Sequence, residues 1–235
     1  MNLLELVQRF CVRTALPSPS RVLPGGDEQS LQIVGLLDEV LQLCVEDYNW
    51  QVLTEEAVFQ SQAGQSQGSL SQLAPGFQHM LSETIYDRTR RLPIWGPRDA
   101  TSWQAMEALP FAGPFYQFRI RGGELLVFPD MEAGAELAFE YYSDRAVVST
   151  DNSRKSFFSA DTDTCLLPAS LLLLGLRWKW KEEKGLPYAE NRLQWDEALA
   201  SAKRQDKAPG NLSLNGGQRA PQPGIFVPAG NWNIP

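Results

Sequence analysis

The sequence predicts an α+β chain: a four-helix bundle made of two αα-hairpins, with a small antiparallel β domain inserted and an extended C-terminal tail. Three observations lead there. Apolar residues recur at helical spacing towards both ends, they alternate with period two in the middle, and no period runs through the last stretch. The expected boundaries are 1–47 and 164–207 for the discontinuous bundle, 48–163 for the inserted β domain and 208–235 for the tail.

Residues 2–15 read as the first helix, with Leu3, Val7, Phe10 and Thr14 on one face and Leu4 and Cys11 beside them. Pro17 and Pro19 stop it, and Pro24-Gly25-Gly26 completes a loop. Asp27 is placed to accept the free N–H groups of a second helix, and Glu28 complements its positive end. That helix carries Ile33, Leu37, Val40 and Cys44 on one stripe, flanked by Val34 and Leu41.

From Tyr48 the period changes. Gln51 to Phe59 is rich in Val, Thr and Phe and reads as a strand. Residues 61–72, SQAGQSQGSLSQ, are polar and uncharged and read as a mobile loop tip. Asp99 is expected to cap a short helix bearing Trp103, Met106 and Leu109 and ending at Pro110. The clearest local signal follows. Tyr116, Phe118 and Ile120 alternate with Gln117, Arg119 and Arg121, and Gly122-Gly123 supplies the positive φ angles of a tight hairpin turn into Leu125–Phe128. Pro129 is expected to end that strand, and Leu137, Phe139 and Tyr141 mark a third. Helical spacing returns at Pro168 with Leu172, Leu176 and Trp180, and Lys184-Gly185 stops that helix. Pro187 opens a fourth with Tyr188, Trp195, Leu199 and Ala202. The tail from Ala208 has Arg219 as its one charged side chain, yet ends in Ile225-Phe226-Val227-Pro228 and Trp232-Asn233-Ile234-Pro235. Large apolar residues at the end of a segment without a core of its own read as a docking element, one that adds a strand to a sheet edge.

Composition narrows the function. The 28 acidic residues outnumber the 21 basic ones, a formal net charge of -7, which argues against a protein that grips phosphate and is compatible with one that lets DNA slide past. Cys11, Cys44 and Cys165 form no CxxC pair and read as reduced, buried thiols. Glu5 and Arg9 break the N-terminal apolar residues, and Pro168 breaks the run Leu166–Leu176, so neither a signal peptide nor a membrane span is expected; the chain reads as a soluble intracellular product. With His79 as the single histidine, a zinc site built on paired histidines is excluded.

Few constellations carry chemistry. Asp161-Thr162-Asp163 resembles a metal-binding carboxylate pair, but it lacks the glycine and distal glutamate of a calcium loop and equally suits a polar loop entering a helix. Glu55-Glu56 and Glu182-Glu183 are candidate acid/base pairs, better explained as solvated faces. Neither Gly64-x-x-x-Gly68 nor Gly122-Gly123 has the context of a phosphate cradle. Arg88, Arg90 and Arg91 lie beside Tyr86 and Trp95; such a set can stack on bases, but in an acidic chain it fits a protein neighbour's carboxylates better. No cofactor and no metal are expected, and no enzymatic activity.

Residues 73–97, LAPGFQHMLSETIYDRTRRLPIWGP, followed by Trp103-Gln104, resemble a stretch of the head-to-tail adaptor proteins of tailed bacteriophages, also called head-completion or tail tubular proteins. The hairpin Tyr116–Gly123, Asp161-Thr162-Asp163-Thr164, the run Gly175–Lys181, Tyr188-Ala189-Glu190 and Pro223–Pro228 extend the likeness, in order, over nearly the whole chain. The resemblance implies a structural virion protein of the capsid–tail neck, assembled in the host cytoplasm. It implies a dodecameric ring of copies bound beneath the portal protein, extending the DNA channel and presenting a surface to a downstream tail or nozzle protein. By the same likeness Pro223, Gly224, Ile225, Phe226, Val227, Pro228 and Trp232 dock on the portal, and DNA passes the bore without specific binding. Two other readings stay open: a different tail or baseplate component, and a metal-dependent hydrolase using Asp161 and Asp163.

Overall fold

The computed structural model describes residues 1–81, 83–108 and 115–206. Within them, local chemistry sets the ends of the first two helices. Helix α1 (Leu3–Thr14) opens on a reciprocal capping pair, the Asn2 side chain accepting from the Glu5 N–H and Glu5 reaching back to the Asn2 N–H. The N–H groups of Leu3 and Leu4, which have no partner inside the helix, donate to the carbonyls of Asp163 and Asp161. Helix α2 (Glu28–Asp47) is capped by Asp27, as expected.

A 3-10 turn (Gln51–Leu53) leads into β1 (Thr54–Gln60). Then follow β2 (Gly64–Ser69), the one-turn helix α3 (Leu70–Leu73), β3 (Phe77–Met80), β4 (Tyr86–Asp87), β5 (Leu92–Pro93) and α4 (Ala100–Glu107). The hairpin of β6 (Gln117–Arg121) and β7 (Glu124–Met131) precedes β8 (Glu136–Ser143) and the short strands β9 (Val147–Val148), β10 (Arg154–Lys155) and β11 (Thr164–Cys165). Helices α5 (Ala169–Glu183) and α6 (Ala189–Asp206) close the described chain.

All strand pairs are antiparallel, in three sheets. One runs β1-β8-β4-β5, with β3 also on β8; the others run β2-β7-β6 and β10-β9-β11. The inner faces of the first two share one apolar cluster: Phe118, Leu125 and Val127 meet Leu137, Phe139 and Tyr141. Helix α4 lies on the other side of β7, where the buried Trp103 meets Phe128 edge-on at 6.2 Å.

This architecture overturns the expected four-helix bundle with a small inserted β domain. The fold is α+β, but it is β-rich, and its helices do not form two matched hairpins. Helix α5 buries residues around most of its circumference, from Leu171, Leu172 and Leu173 through Gly175 and Leu176 to Trp178 and Trp180, and leaves one exposed stripe at Ser170 and Arg177. Helices α1 and α2 each pack on α5 more than on each other, and α6 lies on α5 with only Asn191, Trp195 and Leu199 buried. The helical core also takes in Ala146, Val147 and Phe158 from around the smallest sheet. A bundle needs four equivalent stripes around one axis; here one helix is central and strands complete its cover.

Two local expectations are corrected as well. Residues 61–72 are not a loop tip: β2 pairs with β7, and the buried Gln67 amide bonds to the backbone of Gln62 and Gly64. Neither does Pro129 end β7, which runs on to Met131. The β2 register is interrupted between Leu126 and Met131, so no β2 ladder pair falls on the proline that lacks an N–H. The Gly-Gly hairpin forms as expected, with Gly122 and Gly123 at φ 61° and 79° between the paired Arg121 and Glu124.

Candidate docking surfaces

The arginine–aromatic segment forms the β4–β5 hairpin at the side of the largest sheet. Its turn is built by Asp87, whose buried carboxylate accepts the Arg90 N–H at 2.8 Å, and Arg91 takes the left-handed conformation that closes it. The second Asp87 oxygen is buried and finds no hydrogen-bond partner among the described residues. The Arg88 guanidinium pairs with Glu56 and, at 3.5 Å, with Glu136. Arg90 pairs with Glu132 at 3.2 Å, donates to the Tyr116 hydroxyl and lies over its ring, 5.1 Å from the centroid. Two of the three arginines are therefore engaged by this chain's own carboxylates. Arg91 is exposed, and no hydrogen bond or ion pair joins its side chain to the described residues.

Tyr86 and Trp95 are exposed at 37% and 47%. Phe115, exposed at 52%, flanks Trp95, because the Trp95 N–H donates to the Tyr116 carbonyl. Sequence reasoning missed Phe115, although parity signals it. It falls in phase with Gln117 and Arg119, the polar side of a strand whose inward residues are Tyr116 and Phe118. Across the outer face of the largest sheet, Val58, Ala138 and Tyr86 stand in register. A shallow cavity of about 330 Å³ lies there, walled by Glu56, Thr84, Arg88 and Glu140. That face thus combines apolar side chains with charges of both signs, the mixture a protein surface offers a partner.

The carboxylates proposed for metal chemistry are otherwise occupied. Asp161 accepts the N–H groups of Val22 and Leu23 at 3.1 and 2.6 Å and so ties the α1–α2 loop to the segment before β11. Asp163 is fully buried and accepts from the Ser159 and Ala160 N–H groups and the Lys155 ammonium. Burial alone pushes its carboxyl up, but those donors together hold it below the usual range. The pair is a backbone staple. Among the described residues no group of three or more His, Cys, Asp or Glu is placed to hold a metal ion.

The remaining candidates are also separated. Glu55 pairs with Arg154 and accepts from Tyr141, while Glu56 faces Arg88. Glu182 pairs with Lys179 within its own helix. His79 is exposed on β3 beside the Tyr142 ring at 5.0 Å. The three cysteines are unpaired, Cys11 and Cys44 buried and Cys165 half-buried. Burial pushes the thiols of Cys44 and Cys165 up to about 12. No helix among the described residues is long and apolar enough to cross a membrane.

The tail residues Pro223, Gly224, Ile225, Phe226, Val227, Pro228 and Trp232 lie outside the described residues. Compared with known proteins, residues 1–221 match the family model described as SU10 adaptor protein. No curated protein matches the chain.

Proposed function

The chain belongs to the SU10 adaptor protein family, one of phage structural adaptors, and on that premise we propose that it is a connector of the virion neck. Copies assemble into a dodecameric ring beneath the portal protein, extend the DNA channel and present a surface to the downstream tail or nozzle protein. The observation that carries this reading is the family match over residues 1–221, which spans every described element. The occupied carboxylates support it, since Asp161 and Asp163 spend their oxygens on backbone and lysine donors instead of on a hydrolytic centre. Tyr86, Arg91, Trp95 and Phe115 supply the aromatic and guanidinium groups typical of protein contacts, and we assign them to the contact with a neighbouring copy. Arg88 and Arg90 shape that surface through their intrachain pairs.

The C-terminal residues Pro223–Pro228 and Trp232 dock on the portal. A second attachment per subunit acts at high effective concentration once the body is seated. A net charge of -7 per copy, repeated around a ring, favours a bore that repels phosphate and lets DNA slide. The test is co-sedimentation of the chain, intact or truncated after Lys207, with the purified portal ring of the same virus. Binding by the intact chain that weakens on truncation supports the adaptor role and the tail anchor. No binding by either form refutes portal attachment and moves the protein down the tail.

A further inference from the structure

A second cleft, on the far side of the largest sheet's edge, belongs to none of the contacts above. It encloses about 320 Å³ between β3 and β6, and Phe77, Met80, Pro97, Phe118 and Ile120 line it beside His79. No Asp, Glu, Lys or Arg is among its lining residues, in a chain with 49 such side chains (28 acidic, 21 basic). Its two walls are strand edges. Strand β3 pairs with β8 on one side and, among the described residues, with no strand on the other. Strand β6 pairs with β7, and on its other edge the segment from Trp95 to Arg98 bonds to Tyr116 and Phe118 but reaches no further. An apolar cleft between two incompletely paired edges suits an extended, uncharged segment, which gains main-chain hydrogen bonds as well as apolar contact.

We propose that in the free chain this cleft is occupied by the chain's own C-terminal segment, Gly224-Ile225-Phe226-Val227, held in cis. Three features choose that occupant. The segment is apolar and uncharged, as the cleft is, and its four residues between Pro223 and Pro228 match the 4-residue length of β3. The tail also starts close by. Asp206, the last residue of α6, accepts the Gln51 N–H at 2.9 Å, just ahead of β1. Thr54 of β1, Tyr142 of β8 and His79 of β3 stand in one register row. Two strand spacings and the three residues from Thr54 back through the 3-10 turn place Gln51 within roughly 20 Å of His79. Residues 207–224 reach up to roughly 60 Å when extended, so the path is covered with slack. Seated there, the segment shields its apolar residues until a competing site draws it out.

This inference stands apart from portal attachment and is tested without a portal. Amide hydrogen exchange is followed in the full-length chain and in full-length Phe226→Asp and Ile225→Asp variants. The expected result is that the amides of Met80 and Ile120, which alternate with the Leu81 N–H bonded to Glu140 and with the Arg121 N–H facing β7, exchange about tenfold faster in both variants, while those of α5 are unchanged. The same protection must hold over a wide range of protein concentration, as an intramolecular contact requires. Equal exchange at β3 and β6 in all three proteins overturns the proposal. Protection that grows with concentration overturns it as well, by assigning the cleft to the segment of a second copy.

Discussion

Replacing Gly175 with alanine sets two effects of opposite sign against each other. Gly175 lies in the middle of α5, where alanine favours the helix by about 1 kcal/mol. An added Cβ, however, stands 2.3 Å from Cγ1 of Val40 and 2.9 Å from Nε1 of Trp195. Carbon contacts are comfortable at about 3.5–4.0 Å, so the shortfall exceeds an ångström. Both neighbours are buried, and the β-branched Val40 has little rotamer freedom with which to retreat. Overpacking of this kind costs about 1–3 kcal/mol, and the size of the overlap places it in the upper half. The net expectation is a loss of about 1–2 kcal/mol, a fall in Tm of about 2–8 °C for a chain of this length. Differential scanning calorimetry reads it directly. A double-mutant cycle adds a second check: Val40→Ala should cost at least about 1 kcal/mol less beside alanine at 175 than beside glycine. If Gly175→Ala raises Tm, helix propensity has won and the close packing of α2, α5 and α6 around this glycine is refuted.

A half-buried carboxyl, Asp38, and a buried one, Asp163, give pH dependences of opposite sign. Burial raises the Asp38 carboxyl from 3.8 to about 6, with the Phe158 N–H opposing, so its contribution to stability falls as pH rises through that window. Denaturant unfolding from pH 4 to 7 should show Asp38→Asn removing that downward slope. Asp163, held below the usual carboxylate range, adds stability that is present above its unfolded value of about 3.9 and is lost as pH falls through the folded one. Asp163→Asn should therefore cost about 2 kcal/mol at neutral pH and progressively less as acid protonates the wild-type carboxyl; a cost that does not shrink on acidification would contradict the charge-based account. Arg88→Ala removes an exposed network and should change stability by less than about 1 kcal/mol, measured by urea unfolding. Trp95→Ala should leave Tm within about 2 °C while weakening the proposed self-association at least tenfold, a loss typical of a hot-spot aromatic; analytical ultracentrifugation with unchanged association would remove Trp95 from the proposed subunit contact.

Helix ends and the Gly-Gly hairpin were legible because their causes are local. Asp27 and Asp99 each meet N–H groups within a few residues, and positive φ at Gly122 and Gly123 needs no distant partner. Strand β2 was hidden for the converse reason. Its Gly, Ser and Gln side chains carry no period, and what makes it a strand is the β7 ladder more than fifty residues away together with the buried Gln67 amide. The interface candidates divide along the same line. Tyr86 and Trp95 are exposed, as residues offered to a partner must be, whereas Arg88 and Arg90 find their carboxylates at Glu56, Glu132 and Glu136, within their own chain. The Asp161-Thr162-Asp163 motif has the composition of a metal site. Only the fold shows that Val22 and Leu23 of the α1–α2 loop, and Lys155, take up those oxygens.

By itself the amino-acid sequence determined the α+β class, the caps at Asp27 and Asp99, the central hairpin and the likeness to phage adaptors, since each rests on short-range patterns or on the order of motifs along the chain. The tertiary structure decided which helix lies at the centre, how far the β-rich part extends, which charges pair within the chain and where a strand edge is left unpaired among the described residues. Those depend on partners brought together from distant parts of the chain, and periodicity carries no information about which distant residue a side chain will meet.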